Sequence, residues 1–250
     1  MADFESLKQA YLGIVDKIIG LIPFGRLKLW KEFFFNPSLV VANEKGGIKD
    51  RILDLYLMGL IWVILSLISV IPALLVSSIG TEAGIAALPM AIGLMAAILI
   101  VVWIAIPLAL LLYSLLQFAV AKALGGQGDF RAHLNASVLP GLGAFALLLP
   151  IFLLSVPVSW LAALPGISLC ISIIQIPIEV IEGIAGLYSL YLGYLAFKEV
   201  HKLTMWKTIA VIAIPILVVV IIIGIIVLFV VWTLLNALAA GLATRGPGNF

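Results

Sequence analysis

The chain has 250 residues, of which 64% are hydrophobic and only 10% charged, with a mean hydropathy of +1.31. A soluble domain is nearer half apolar and a quarter charged. These proportions exclude a soluble enzyme, a disordered tail and a nucleic-acid-binding module, and they leave an integral membrane protein.

Charge is confined as well as scarce. Residues 52–121, 132–197 and 208–244 contain only Asp54, Glu82, Glu179 and Glu182. The remaining 22 of the 26 charges fall before, between and after these blocks. Net charge is +2, too small to imply an anionic partner such as nucleic acid. The single cysteine, Cys170, cannot form an intrachain disulfide, and no Cys/His cluster suggests a metal or cofactor. The first 51 residues carry 14 charges before any long apolar run. That argues against a cleavable signal peptide.

Residues 3–22 read as an amphipathic helix. Phe4, Leu7, Tyr11, Ile14, Val15, Ile18 and Ile22 fall at helical spacing, with Lys8, Asp16 and Lys17 between them. Pro23 and Gly25 then break the pattern. The stretch RLKLWKEFFFNP at 26–37 places Trp30, Lys31, Phe33 and Phe34 together. Aromatic rings and basic groups in one patch suit the headgroup layer. The patch is expected to anchor the N-terminal region, with docking of a partner protein as the alternative. Residues 1–37 are thus set apart from a membrane domain at 38–240 and a short tail at 241–250.

The first span is expected at 52–79. Residues 83–121 are long enough for one extended span or for two. The positive-inside rule decides. With one span there the total is five, and 13 of the 14 Lys and Arg lie on one side. With two, the division falls to nine against five. We therefore expect an all-α bundle of five spans, N-terminus cytoplasmic and C-terminus outside. The region of Gly80, Gly84 and Pro89 becomes an outer loop. The third span is expected near 134–156, with kinks or unwinding at Pro140 and Pro150. SVPVSW at 155–160 is expected as an outer turn. The fourth span lies within 165–197 and the fifth near 208–236.

Glu179 and Glu182 are the sharpest chemical feature. Three residues apart, they share a helix face. Each lies about 20 Å or more from either end of its apolar block. Acidic groups at such depth are costly and usually functional. Gln175, Tyr188 and Tyr191 are candidate polar partners on the same span, and Gln117, Asn135 and Asn236 on others. The expectation is a pocket for a cation, a proton or a lipid headgroup; the competing reading is neutral carboxyls bonded to neighbouring helices.

LGGQGDF at 124–130 is a Gly-rich turn without the Lys-Ser/Thr of a phosphate loop and without a preceding strand. Gly125 and Gly126 are expected to end span two and reverse the chain. Asp129 can cap the next helix, with Phe130 beside it. His133 and His201 stand at span borders, where a polar interface role outweighs catalysis. No nucleophile–base pair is apparent.

Three stretches together carry a family likeness: WKEFFFNP at 30–37, AKALGGQGDFRAHLNASVLPGL at 121–142, and YLGYLAFKEVHKLTMWKTIAVIAIP at 191–215. They resemble the YIP-domain family of polytopic, Rab-GTPase-interacting membrane proteins. The resemblance implies five spans, a cytoplasmic N-terminus and a non-enzymatic role in organising membranes or recruiting partners. In eukaryotic members that role is vesicle-mediated transport between endoplasmic reticulum and Golgi, with small GTPases as partners. This chain lacks the long polar N-terminal region of those members and looks prokaryotic, which implies the cell membrane instead. Expected partners are the lipid bilayer, small GTPases or other membrane proteins, and a second copy in a homo-oligomer. The alternative is a transporter, channel or lipid-translocating protein built on Glu179 and Glu182.

Overall fold

The computed structural model describes residues 2–21, 26–36, 46–78, 82–162, 164 and 166–244. Among the described residues there are seven helices and no strand. They are α1 (Ala2–Leu21), α2 (Arg26–Phe35), α3 (Ile48–Ser78), α4 (Glu82–Ala123), α5 (Phe130–Ala162), α6 (Ser168–His201) and α7 (Met205–Thr244). The last five are each long and apolar enough to cross a membrane. Five spans agree with the number that the charge distribution favours.

Two expected breaks are absent. Gly84 and Pro89 lie inside α4, not in a loop; Gly80, like Pro23, Gly25, Pro37 and Arg245, falls outside the described residues. Residues 155–160 continue α5 instead of turning, and α5 also runs unbroken through Pro140 and Pro150. The reason is the solvent. A non-helical backbone in lipid leaves N–H and C=O groups unpaired, whereas a proline removes only one helical bond. The polar side chains of the segment are satisfied on carbonyls. Ser155 donates to Phe152 O and Ser159 to Val156 O, both at 2.7 Å, and Trp160 Nε1 donates to Ile68 O at 2.8 Å.

α5 is the central helix. It packs against α1, α2, α3, α4 and α6, and it alone of the five spans is mostly buried in the protein. The N-terminal helices contribute directly to this core. Val15, Leu27, Trp30 and Phe33 are buried with Leu139, Leu142 and Phe145 of α5. An added Cβ at Gly143 would lie 2.9 Å from Trp30 O, so α2 sits backbone-close on α5 only because that residue has no side chain. The Tyr11 hydroxyl donates to Leu147 O. Burial pushes the Tyr11 phenol above its ordinary pKa, which keeps that donor protonated.

A cluster of ions fixes α2 to the start of α3. Arg26 Nη2 lies 2.5 Å from Asp50 Oδ1, and Arg26 Nη1 3.0 Å from Asp54 Oδ1. Arg51 Nη1 takes the other Asp54 oxygen at 2.5 Å. The Asp54 side chain is wholly buried and that of Arg51 is 2% exposed. Removing the shared carboxylate takes from the buried Arg51 guanidinium its 2.5 Å ion pair. Asp54→Ala is therefore expected to cost about 3–5 kcal/mol, measured by equilibrium unfolding in mild detergent. A loss under about 1 kcal/mol, the range of an exposed pair, would show that water reaches the cluster.

Candidate functional site

At one end of the bundle the α4–α5 and α6–α7 connections meet. Lys122, Arg131, Lys198, Lys202 and Lys207 gather there, so this is the basic end. α4 closes through Gly125, which takes a left-handed φ of 89° that a side chain would strain. Gly125 N–H donates to Lys122 O at 3.0 Å and Gly126 N–H to Ala121 O at 2.8 Å. Asp129 Oδ1 accepts from Ala132 N–H at 2.7 Å and caps α5. Phe130 opens that helix and packs on Phe118 at 5.3 Å between ring centroids.

The two connections are joined to each other. Gln127 N–H donates to His201 O at 3.1 Å, and Lys207 Nζ donates to Leu124 O at 2.9 Å. Between them, His133 Nδ1 and His201 Nε2 share a hydrogen bond of 2.8 Å. Both rings are wholly buried. One nitrogen must donate and the other accept, so the accepting ring is neutral. Phe197 lies 4.9 Å and Phe118 5.4 Å from the His133 ring. Among the described residues His201 Nδ1 has no hydrogen-bond partner, and His133 faces the backbone of Ser114.

Close approach makes this packing possible. An added Cβ at Gly126 would lie 2.8 Å from both Ala121 O and His201 Nδ1, and one at Gly128 would lie 2.5 Å from Val200 Cγ1. Gly125, Gly126, Asp129, Phe130, His133 and His201 thus converge on one place. Phe118, Phe197 and Gly128 belong to it too, though their sequence positions did not single them out. His133 and His201 stand at the basic end as buried residues that join α5 to α6. Among the described residues no group of three or more His, Cys, Asp or Glu could hold a metal.

The aromatic and basic patch on α2 divides. Trp30 and Phe33 are fully buried against α5. Lys31 pairs with Asp16 of α1 at 2.5 Å. Phe34 packs on Phe35 at 5.7 Å and on Tyr188 of α6 at 4.8 Å.

The acidic pair has different surroundings. Glu179 is exposed and Glu182 half-exposed on α6, with Gln175 half-buried one turn away and Asn236 exposed on α7. No described hydrogen bond or ion pair reaches either glutamate. Buried Gln117 accepts from Ser137 Oγ at 3.1 Å. It lines a cavity of about 160 Å³ with Tyr113, Ser137, Ser189 and Gly193. A larger apolar groove, about 470 Å³, lies between α1–α2 and α5–α6 and is lined by Tyr11, Phe34, Leu147, Ile181, Ile184 and Tyr188. Neither space has a glutamate in its lining.

A family model described as the Yip1 domain matches residues 33–229. The match covers more than half of the chain, which therefore belongs to the Yip1-domain family, as the three resembling stretches imply. No curated protein and no solved structure matches it. With its five apolar helices it is a multi-pass membrane protein.

The glycine contacts set a test of the basic end. Gly126→Ala must push the loop away from Ala121 and His201, an overpacking that costs about 1–3 kcal/mol. Hydrogen exchange at the Gln127 amide is expected to quicken in that variant. Unchanged exchange and stability would show that the loop has room there.

Proposed function

We propose that this Yip1-domain protein is a non-enzymatic membrane scaffold that organises the bilayer and recruits partners at its basic end. Residues 1–37, 38–240 and 241–250 serve as N-terminal region, membrane domain and tail. The positive-inside rule assigns the basic end and the N-terminus to the cytoplasm and the C-terminus to the outside. The membrane is the cell membrane in a prokaryote, and endoplasmic reticulum or Golgi in a eukaryote.

The observation that carries this reading is the joining of two surface connections by buried polar contacts. The His133–His201 bond and the Gln127–His201 bond hold loops from distant parts of the chain as one unit. Exposed Lys122, Lys198, Lys202 and Lys207 rim it. A preorganised surface binds without the cost of ordering its loops. Its charge suits an acidic protein face or anionic headgroups. Small GTPases are one such partner class in the family's eukaryotic members. The transporter alternative has less support, since Gln117 is committed to Ser137 and no described contact joins it to Glu182.

A photo-crosslinking residue in place of Lys202, introduced in native membranes, is expected to give discrete protein adducts. The same residue in place of Val220, on the apolar surface of α7, is expected to give none. Adding Gly126→Ala at the basic end should weaken the Lys202 adducts. Two results would sink the proposal. One is equal adducts at both sites. The other is ion conduction by reconstituted protein that is lost with Glu179→Gln and Glu182→Gln together.

A further inference from the structure

α2 starts near the basic end, where Arg26 pairs with Asp50 and Arg131 Nε donates to Gly46 O at 2.9 Å, and it crosses α5 further in. Gly143, where α2 crosses, is 13 residues from the start of α5 at Phe130, about 20 Å along the axis. Leu147, which accepts the Tyr11 hydroxyl, is a turn further. The outward side of α1 and α2 carries many charges, alongside exposed Leu7, Ile14 and Phe35. Lys8, Asp16, Lys17, Lys28 and Glu32 are exposed and Lys31 half-exposed.

Aromatic rings lie at the same level. Phe35, Phe34, Tyr188 and Tyr191 form a chain of contacts at 5.7, 4.8 and 6.2 Å. Phe35, Tyr188 and Tyr191 are exposed. Such rings mark membrane–water interfaces. Tyr188 lies ten residues inward of Lys198, about 15 Å along α6.

Another face of the bundle has a different profile. α7 carries no charge from Thr208 to Thr244, and its outward Ile and Val run from Trp206, 77% exposed, to Trp232, 66% exposed. Those two tryptophans are 26 residues apart, about 40 Å, which is a full bilayer with its interfaces. α4 carries no charge between Glu82 and Lys122. On that face the interface lies at Trp206 and Lys122, at the basic end itself.

We infer that the bilayer boundary is stepped around this protein: the headgroup layer stands at the basic end along α4 and α7, and dips to about mid-height of α5 along α1 and α2. The partner of the α1–α2 outer surface is the lipid headgroup layer of that leaflet. Its Lys, Asp and Glu side chains of both signs suit zwitterionic and anionic headgroups. The dip also accounts for Glu179 and Glu182. Glu182 is six residues from Tyr188, about 9 Å, so on this face it lies near a lowered interface and its carboxylate needs no protein partner. The inference deepens the membrane-organising half of the proposed function and stands independently of partner recruitment.

Spin-label accessibility tests it in liposomes holding the full chain. Cys170→Ala provides the background. Single labels replace Lys28 and, as a second probe of the same surface, Lys17. Controls replace Lys202 at the basic end and Val220, 15 residues into α7. The water-soluble relaxant Ni(II)EDDA is compared with oxygen. The ratio at Lys28 and Lys17 is expected to match that at Lys202 and to exceed that at Val220 several-fold. A ratio at Lys28 and Lys17 as low as at Val220 would overturn the inference. So would a ratio at Val220 as high as at Lys202, which would place the whole basic half outside the membrane.

Discussion

One buried carboxylate positions much of what is distinctive here. Asp54 is shared by Arg26 of α2 and Arg51 of α3. The Arg51 side chain is 2% exposed and Arg26, one-third exposed, also pairs with Asp50, so the shared carboxylate joins a buried charge to a partly exposed one. The pairing fixes where α2 crosses the bundle, and α2 with α1 then closes one side of α5. Trp30 and Phe33 complete the attachment by burial. The N-terminal region is therefore part of the folded core and not a tether lying beside it.

That attachment sets the energetic balance with the membrane. The charged residues exposed on α1 and α2 would each cost about 2.5–3.5 kcal/mol at full hydrocarbon depth. Thinning a bilayer costs fractions of a kcal/mol per Å. Per ångström, deformation is the cheaper term, and the leaflet bends to the protein. A membrane protein with one full-height face and one low face perturbs the surrounding lipid by its shape alone. Such a shape fits an organising role better than a catalytic one.

The number and order of the spans were legible in the sequence because lipid imposes a simple rule on charge and length. The continuity of α4 across a stretch long enough for two spans followed from counting Lys and Arg. The expected loop at Gly84 and Pro89 and the turn at 155–160 failed for one reason: glycine and proline signals learned from water weaken where an open backbone has no solvent. The histidine bond was not legible. His133 and His201 are 68 residues apart, and only the meeting of α5 and α6 makes them neighbours. Gly126 and Gly128 read as turn residues, while their role is to admit the His201 and Val200 region at contact distance. Arg51 is near Asp54 in the sequence, but Arg26, its second partner, lies 28 residues away. The depth of Glu179 and Glu182 was counted along their own apolar block, which carries no information about where α1 and α2 bring polar groups to the same level.

The most direct measurement is the shape of the bilayer itself. Single-particle imaging of the protein in a lipid nanodisc resolves headgroup density around the bundle. A stepped boundary predicts density near Trp206 and Lys122 on the α4–α7 face and near Gly143 on the α1–α2 face. A flat layer at one height around the whole circumference would contradict it.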